Sequence, residues 1–206
     1  MVACYFCFFA IIGILNSTFP SIDLEQYQQT ELFQMLDESP LRFAIMALIV
    51  APVLEEGIFR SLIKPSSNDI FFFICSWFVI FGAFFIPEGV YWLISFALLL
   101  VSAILIFLFL KEVIPQNLIS GLQRVLHKYY KPFWLLFAFL FGLVHIYNYV
   151  EVFELNLVLF LLIFPRIIAG YFFGKIKIEN NSLLWPILMH SMNNSIIVFF
   201  LLPKLF

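Results

Sequence analysis

Apolar residues run along this chain in long blocks, and the polar residues collect between them. A helix that crosses a bilayer needs about 20 predominantly apolar residues, with a working range near 17–25. That template predicts spans at Val2–Asn16, Leu41–Ile63, Asp69–Phe85, Val90–Leu110, Pro132–Tyr149, Phe153–Gly174 and Leu183–Leu202, the first of them short. Between the first two lies Ser21–Ser39, an acidic, glutamine-containing stretch that reads as a surface helix. Lys111–Lys131 places Leu118, Leu122 and Val125 on one helical face and Gln123, Arg124 and Lys128 elsewhere, the pattern of an interfacial helix. The expectation is an all-α, polytopic transmembrane helix bundle of about seven spans with one or two interfacial amphipathic helices. With no repeat, low-complexity tract or linker, residues 1–206 read as a single integral membrane domain.

Composition supports the membrane assignment. The chain is 64% hydrophobic and 12% charged, where soluble domains carry roughly 45–50% apolar and about 25% charged residues. The net charge of -2 says nothing useful about nucleic acid; no basic arm or stripe exists, and no nucleic-acid partner is expected. Cys4, Cys7 and Cys75 lie in apolar runs and read as small packing residues. The N-terminus has no positive region and no clear cleavage site, so it reads as a short span and not as a signal peptide.

Charge predicts orientation. Lys64, Lys111, Arg124, Lys128, Lys131, Lys175 and Lys177 fall in alternate loops, while Asp23, Glu25, Glu31, Asp37, Glu38, Glu88, Glu151 and Glu154 occupy the others. Positive residues stay on the cytoplasmic side. Seven spans then place the N-terminus inside and the C-terminus outside.

Several polar residues interrupt the apolar blocks. Ala51-Pro52-Val53-Leu54-Glu55-Glu56-Gly57-Ile58-Phe59-Arg60 holds three ionisable groups in six residues, each costing about 2.5–3.5 kcal/mol near a bilayer centre on insertion scales. Glu56 and Arg60 are four apart and share a helical face. Glu55 is rotated by about 100° from Glu56 and stays free of the arginine. Spacing thus makes Glu56–Arg60 a structural pair and Glu55 a free carboxylate facing the bundle interior. Pro52 removes a helical hydrogen bond and predicts a kink or local opening.

Two later spans carry His145, after Gly142, and His190 with Asn194, after Pro186. Gly142 permits close helix approach. His127, among Arg124, Lys128 and Lys131, reads as a solvated interfacial residue, and Arg166, beside Pro165, as balancing an acidic neighbour or snorkelling. At the helical rise, Glu55 and His190 lie roughly 12 Å and 10 Å from the cytoplasmic ends of their spans, whereas His145 lies roughly 20 Å in. A tilted helix, or one beginning outside the bilayer near Lys131, would close that gap.

A carboxylate and two histidines in a wet intramembrane cavity can activate water for peptide hydrolysis. Two versions stay open. Without metal, Glu55 held by His145 is the general base, and His190 with the Asn194 amide stabilises the oxyanion. With zinc, Glu55, His145 and His190 are the ligands and one position stays open for water.

Glu55-Glu56-x-x-x-Arg60, Phe141-x-x-x-His145 and His190-x-x-x-Asn194, in that order on separate membrane helices, resemble the three motifs of the CPBP family. These are the CAAX proteases and bacteriocin-processing enzymes, also called Abi, which include the Ras-converting CAAX endopeptidases. The resemblance covers about residues 41–202. It implies an intramembrane protease in which Glu55 with His145 activates water and His190 with Asn194 forms the oxyanion site. Glu56, Arg60 and Phe141 would then be supporting residues. It leaves zinc or a metal-independent glutamate mechanism open, and makes the partners a peptide or protein substrate and the lipid bilayer. The implied location is the cell membrane of a prokaryote. The substrate class is a prenylated tail, as in eukaryotic members, or a processed peptide, as in small prokaryotic ones. Two other classes compete: a non-catalytic immunity or scaffold protein using the polar cluster as interhelical glue, and a proton-coupled transporter, which lacks a visible inverted repeat.

Overall fold

The computed structural model describes residues 1–19, 24–87 and 89–201. Asp23, Glu88, Leu202 and the start of the 21–39 stretch lie outside the described residues, as do the side chains of Glu25 and Glu31. All regular structure among the described residues is helical, in chain order α1 (Val2–Thr18), α2 (Thr30–Glu38), α3 (Pro40–Ile45), α4 (Ala51–Phe59), α5 (Ser67–Ala83), α6 (Trp92–Val113), α7 (Gln116–Lys128), α8 (Tyr130–Val144), α9 (Leu157–Asn180) and α10 (Leu184–Leu201).

Of the seven expected spans, four are long and apolar enough to cross a membrane: α6, α8 extended through Asn148, α9 and α10. Helices α1 and α5 are apolar but shorter. Helix α6 has no buried residue, so its apolar surface suits lipid contact all round. The amphipathic stretch expected at 111–131 forms α7, whose Leu118, Leu122 and Val125 are exposed.

Pro52 opens its helix in a specific way. A π-helical turn at Met46–Val50 joins α3 to α4, and Ala51 N–H reaches Met46 O, five residues back. Pro52 has no N–H to give. Neither the four- nor the five-residue register therefore supplies a donor to Ala47 O. Asn194 of α10 donates its Nδ2 to that oxygen at 2.9 Å, binding the last helix to the one that carries Glu55.

Asp69 organises the opposite end. Ser66 and Asp69 form a capping box at the start of α5 (Asp69 N–H to Ser66 Oγ 3.2 Å, Ser66 N–H to Asp69 Oδ2 2.9 Å). Lys177 of α9 adds its Nζ to the same Oδ2 at 2.7 Å and is fully buried. This corrects the placement of Lys177 in a loop. With Asp69 as partner the lysine stays inside, and α9 runs on to Asn180, beyond the expected Gly174. His127 is exposed, as expected; its Nε2 also lies 3.1 Å from Pro65 O, and Gln123 Nε2 donates to the same carbonyl at 3.1 Å. These contacts tie α7 to the loop before α5. Cys75 is buried as expected, whereas Cys4 and Cys7 are exposed.

Helices α8 and α9 meet at Gly142, where an added Cβ would stand 3.0 Å from Ile167 N and overlap the Ile167 side chain. Gly57 plays the same part between α4 and α5, against Ser76 and Phe72.

Removing one partner of a buried ion pair leaves an uncompensated charge and costs about 3–5 kcal/mol. Asp69→Asn should lower stability by about that much, read as an earlier melting transition of the purified protein in detergent. A melt unchanged from wild type would show that Asp69 is not the anchor of Lys177.

Candidate active site

Helix α4 presents its two glutamates to different surroundings. Glu56 is fully buried, while the Glu55 side chain keeps 29% of its surface exposed. Glu56 Oε2 stands 3.1 Å from Arg60 Nε one turn away. The N–H direction misses the oxygen, so the contact is an ion pair and not an aligned hydrogen bond. The guanidinium finds its other partners in aromatic faces. It lies 4.2 Å from the Phe141 ring centre, with Phe173 at 5.4 Å and Phe59 at 5.7 Å, a desolvated cation–π setting. Its position as the C-cap of α4 also suits a cation.

The other Glu56 oxygen, Oε1, lies 2.8 Å from His190 Nδ1. A carboxylate can only accept, so Nδ1 carries the proton and donates, and the ring turns Nε2 toward Glu55. Phe173 stacks on the imidazole at 4.9 Å between centres, and Phe141 meets it edge-on at 5.6 Å.

His145 is held in the same manner by a different group. It begins a 3₁₀ turn, His145–Asn148, where α8 ends. Its Nδ1 donates to Phe141 O at 2.6 Å, which again leaves Nε2 as the free nitrogen. Helix α8 starts at Tyr130, beside Lys131, so the depth difficulty does not keep His145 from the site.

The two free nitrogens converge. Glu55 Oε2 is 3.8 Å from His145 Nε2 and 3.8 Å from His190 Nε2. It is buried without a hydrogen-bond partner among the described residues. These separations exceed hydrogen-bonding range but allow one water to touch acid and ring together. They are also wider than the roughly 3.3 Å between ligand atoms of tetrahedral zinc at bond lengths near 2.0–2.1 Å. No group of three or more His, Cys, Asp or Glu among the described residues closes around a metal position.

The site opens into a cavity of about 650 Å³, a size suited to a small ligand or peptide segment. Glu55, His145, His190 and Asn194 line it, together with Tyr27 and Gln29 of the segment expected to be a surface helix. That segment is tied down by hydrogen bonds from Tyr27 to Glu154 (2.7 Å), Asn156 to Tyr27 (2.8 Å) and Gln29 to Tyr149 (2.7 Å). Sequence spacing had no means of placing it there, since these contacts join residues more than a hundred positions apart. Arg166 also lines the cavity, and no carboxylate among the described residues stands within 4.0 Å of it. Among the described residues the expected acidic neighbour is therefore not within that range.

Glu56 and Glu55 should respond differently to the same change. Glu56→Gln removes the charge shared by Arg60 and His190, and a loss of about 3–5 kcal/mol of stability is expected. Glu55→Gln breaks no hydrogen bond and should leave melting within about 1 kcal/mol of wild type. Equal melting losses in the two variants would overturn this division.

Residues 117–196 match a family model described as type II CAAX prenyl endopeptidase Rce1-like. The match takes in Phe141, His145, His190 and Asn194; the Glu55–Arg60 motif lies before it. No curated protein and no solved structure matches the chain. The family match, with four long apolar helices, supports an integral membrane protein of CAAX-protease type, although the matched stretch is under half of the chain.

Proposed function

We propose that the chain is an intramembrane endopeptidase that hydrolyses a peptide bond with water activated at Glu55, the catalytic core occupying about residues 41–202. The observation that carries this reading is the convergence of Glu55 Oε2, His145 Nε2 and His190 Nε2, with each ring aimed by an Nδ1 hydrogen bond on its far side. Seven crossings, with α1, the 40–59 helix and α5 joining the four longer helices and the N-terminus inside, complete the arrangement in a prokaryotic cell membrane.

In the metal-free version a water lies between Glu55 and His145. His145 Nε2 accepts one of its protons in a hydrogen bond and orients it, and Glu55 takes the other as the water attacks the carbonyl. The oxyanion faces His190 and Asn194. For His190 to donate there Nε2 must also carry a proton, while Nδ1 stays on the Glu56 carboxylate at 2.8 Å. Asn194 has one amide N–H left after Ala47 O takes the other. Both donors are thus held before a substrate arrives, which is the condition under which such groups act strongly.

The same far-side hydrogen bonds favour a second version. Metal-binding histidines typically donate their other N–H to a carboxylate or backbone carbonyl, as His190 and His145 do here. Glu55, His145 and His190 would hold zinc: two imidazoles and one carboxylate, its Oε2 without a partner among the described residues, suit the metal chemically once the 3.8 Å separations close. When bound, zinc would supply a water acidified to near neutral pH.

Glu55→Gln should reduce cleavage of a peptide substrate by about a hundredfold or more without altering expression or melting. Full retained activity would sink the assignment of Glu55. A variant that fails to fold, with no proteolysis by wild type, would instead indicate a non-catalytic immunity or scaffold protein. Activity of the purified protein after exhaustive chelation, checked by metal analysis, decides between the versions: unchanged turnover supports the glutamate version, and loss restored by added zinc supports the metal version.

A further inference from the structure

The cations of this bundle are treated unequally. Arg60, fully buried, faces Glu56 at 3.1 Å, and Lys177, fully buried, faces Asp69 at 2.7 Å. Arg166 is half-buried on α9 beside Pro165 and faces the cavity. Among the described residues it has neither a carboxylate within 4.0 Å nor a side-chain hydrogen bond. A guanidinium at membrane depth is costly, and the one carboxylate among the described lining residues, Glu55, stands beyond 4.0 Å, so an anion delivered beside Arg166 would be favoured.

The remaining walls indicate which anion. Among the lining residues Arg166 is the sole guanidinium or ammonium group and Glu55 the sole carboxylate. Amide and phenol side chains, those of Gln29, Asn148, Tyr149 and Tyr27, fill much of the polar lining. Such groups complement the N–H and C=O groups of a peptide, and the apolar remainder, Leu24, Leu32, Phe33, Phe43, Ile197 and Leu201, would take its side chains. The arginine fork pairs with a carboxylate through two parallel hydrogen bonds. A peptide would therefore be held at two points, its scissile carbonyl near Glu55 and a negative group on Arg166.

We infer that Arg166 is the subsite for a carboxylate of the substrate, and so fixes which peptides enter the cavity and in which direction. This rests on the endopeptidase reading for its consequence in cleavage, but the binding it requires can be read separately. The carboxylate comes from the chain terminus or from an aspartate or glutamate side chain.

The test uses the full chain in phosphatidylcholine nanodiscs and three pools of internally quenched random peptides. One pool ends in a free carboxylate, the second in a carboxamide, and the third in a carboxamide with one internal glutamate. Binding is measured on Glu55→Gln and cleavage on a wild-type Glu55 background. The carboxylate source should bind about ten- to hundredfold more tightly than the plain carboxamide, as for a hydrogen bond to a charged group. Arg166→Gln, combined with Glu55→Gln for binding, should erase that preference. Arg166→Lys should retain part of it. In cleavage, KM should rise for the preferred pool while kcat stays within about threefold.

Preference for the first pool identifies a terminal carboxylate, and preference for the third identifies a side chain. Equal binding of all pools, binding of none, or a preference that survives Arg166→Gln would overturn the assignment. So would Arg166-dependent binding of phosphatidylglycerol with no peptide preference, which would make the site one for a lipid phosphate. The wild-type comparison of pools holds even if Arg166→Gln fails to fold. Carboxylate-dependent binding without cleavage would sink the protease reading and leave Arg166 in place; cleavage indifferent to the carboxylate would do the reverse.

Discussion

A single buried carboxylate holds the centre of this molecule together. Glu56 gives one oxygen to Arg60 and the other to His190, so one negative charge serves two helices. In hydrocarbon a lone charge is so unfavourable that the groups around it have little freedom to rearrange. The guanidinium then packs against Phe59, Phe141 and Phe173, and the imidazole against the last two of these. The polar pair and the aromatic core are therefore one unit, and the aim of His190 toward Glu55 follows from it.

Phe141 shows how tightly support and chemistry are joined. Its ring faces Arg60 and His190, while its carbonyl fixes the protonated nitrogen of His145. One residue thus touches all three motifs, through side chain and backbone together. The similarity to the CAAX prenyl endopeptidase model rests on the 117–196 match, which includes Phe141 and both histidines. The glutamate motif is joined to it by geometry.

Much of the site was legible in the sequence, for reasons of local periodicity. Four-residue spacing separates Glu56 and Arg60 from Glu55, and Pro52 marks the opened turn. Gly142 marks the close approach of α8 to α9. What spacing could not show were contacts over long separations. Lys177 reads as a loop charge until Asp69, 108 positions away, is brought beside it. His127 is exposed as its basic neighbours suggest, but its contact with Pro65 O, 62 positions away, does not show in spacing. The Ser21–Ser39 stretch reads as a surface helix, and Thr30–Glu38 is one, but spacing does not show that Tyr27 and Gln29 before it are hydrogen-bonded to Glu154, Asn156 and Tyr149. Span number suffers for a related reason: the 40–59 helix is interrupted by a π-helical turn and ends at Arg60, so apolar content alone does not define it.

The hydrogen bond from Asn194 to Ala47 O sets a mechanical condition on the whole centre. Because Pro52 leaves that carbonyl with no helical donor, the amide on α10 and the carboxylate on α4 share a common backbone reference. Any breathing of the bundle that draws α10 away from the 40–59 helix exposes the orphan oxygen, separates His190 from Glu56 and removes Asn194 from the cavity in the same movement. The two side chains that α10 brings to the centre, His190 and Asn194, are consequently held or lost together.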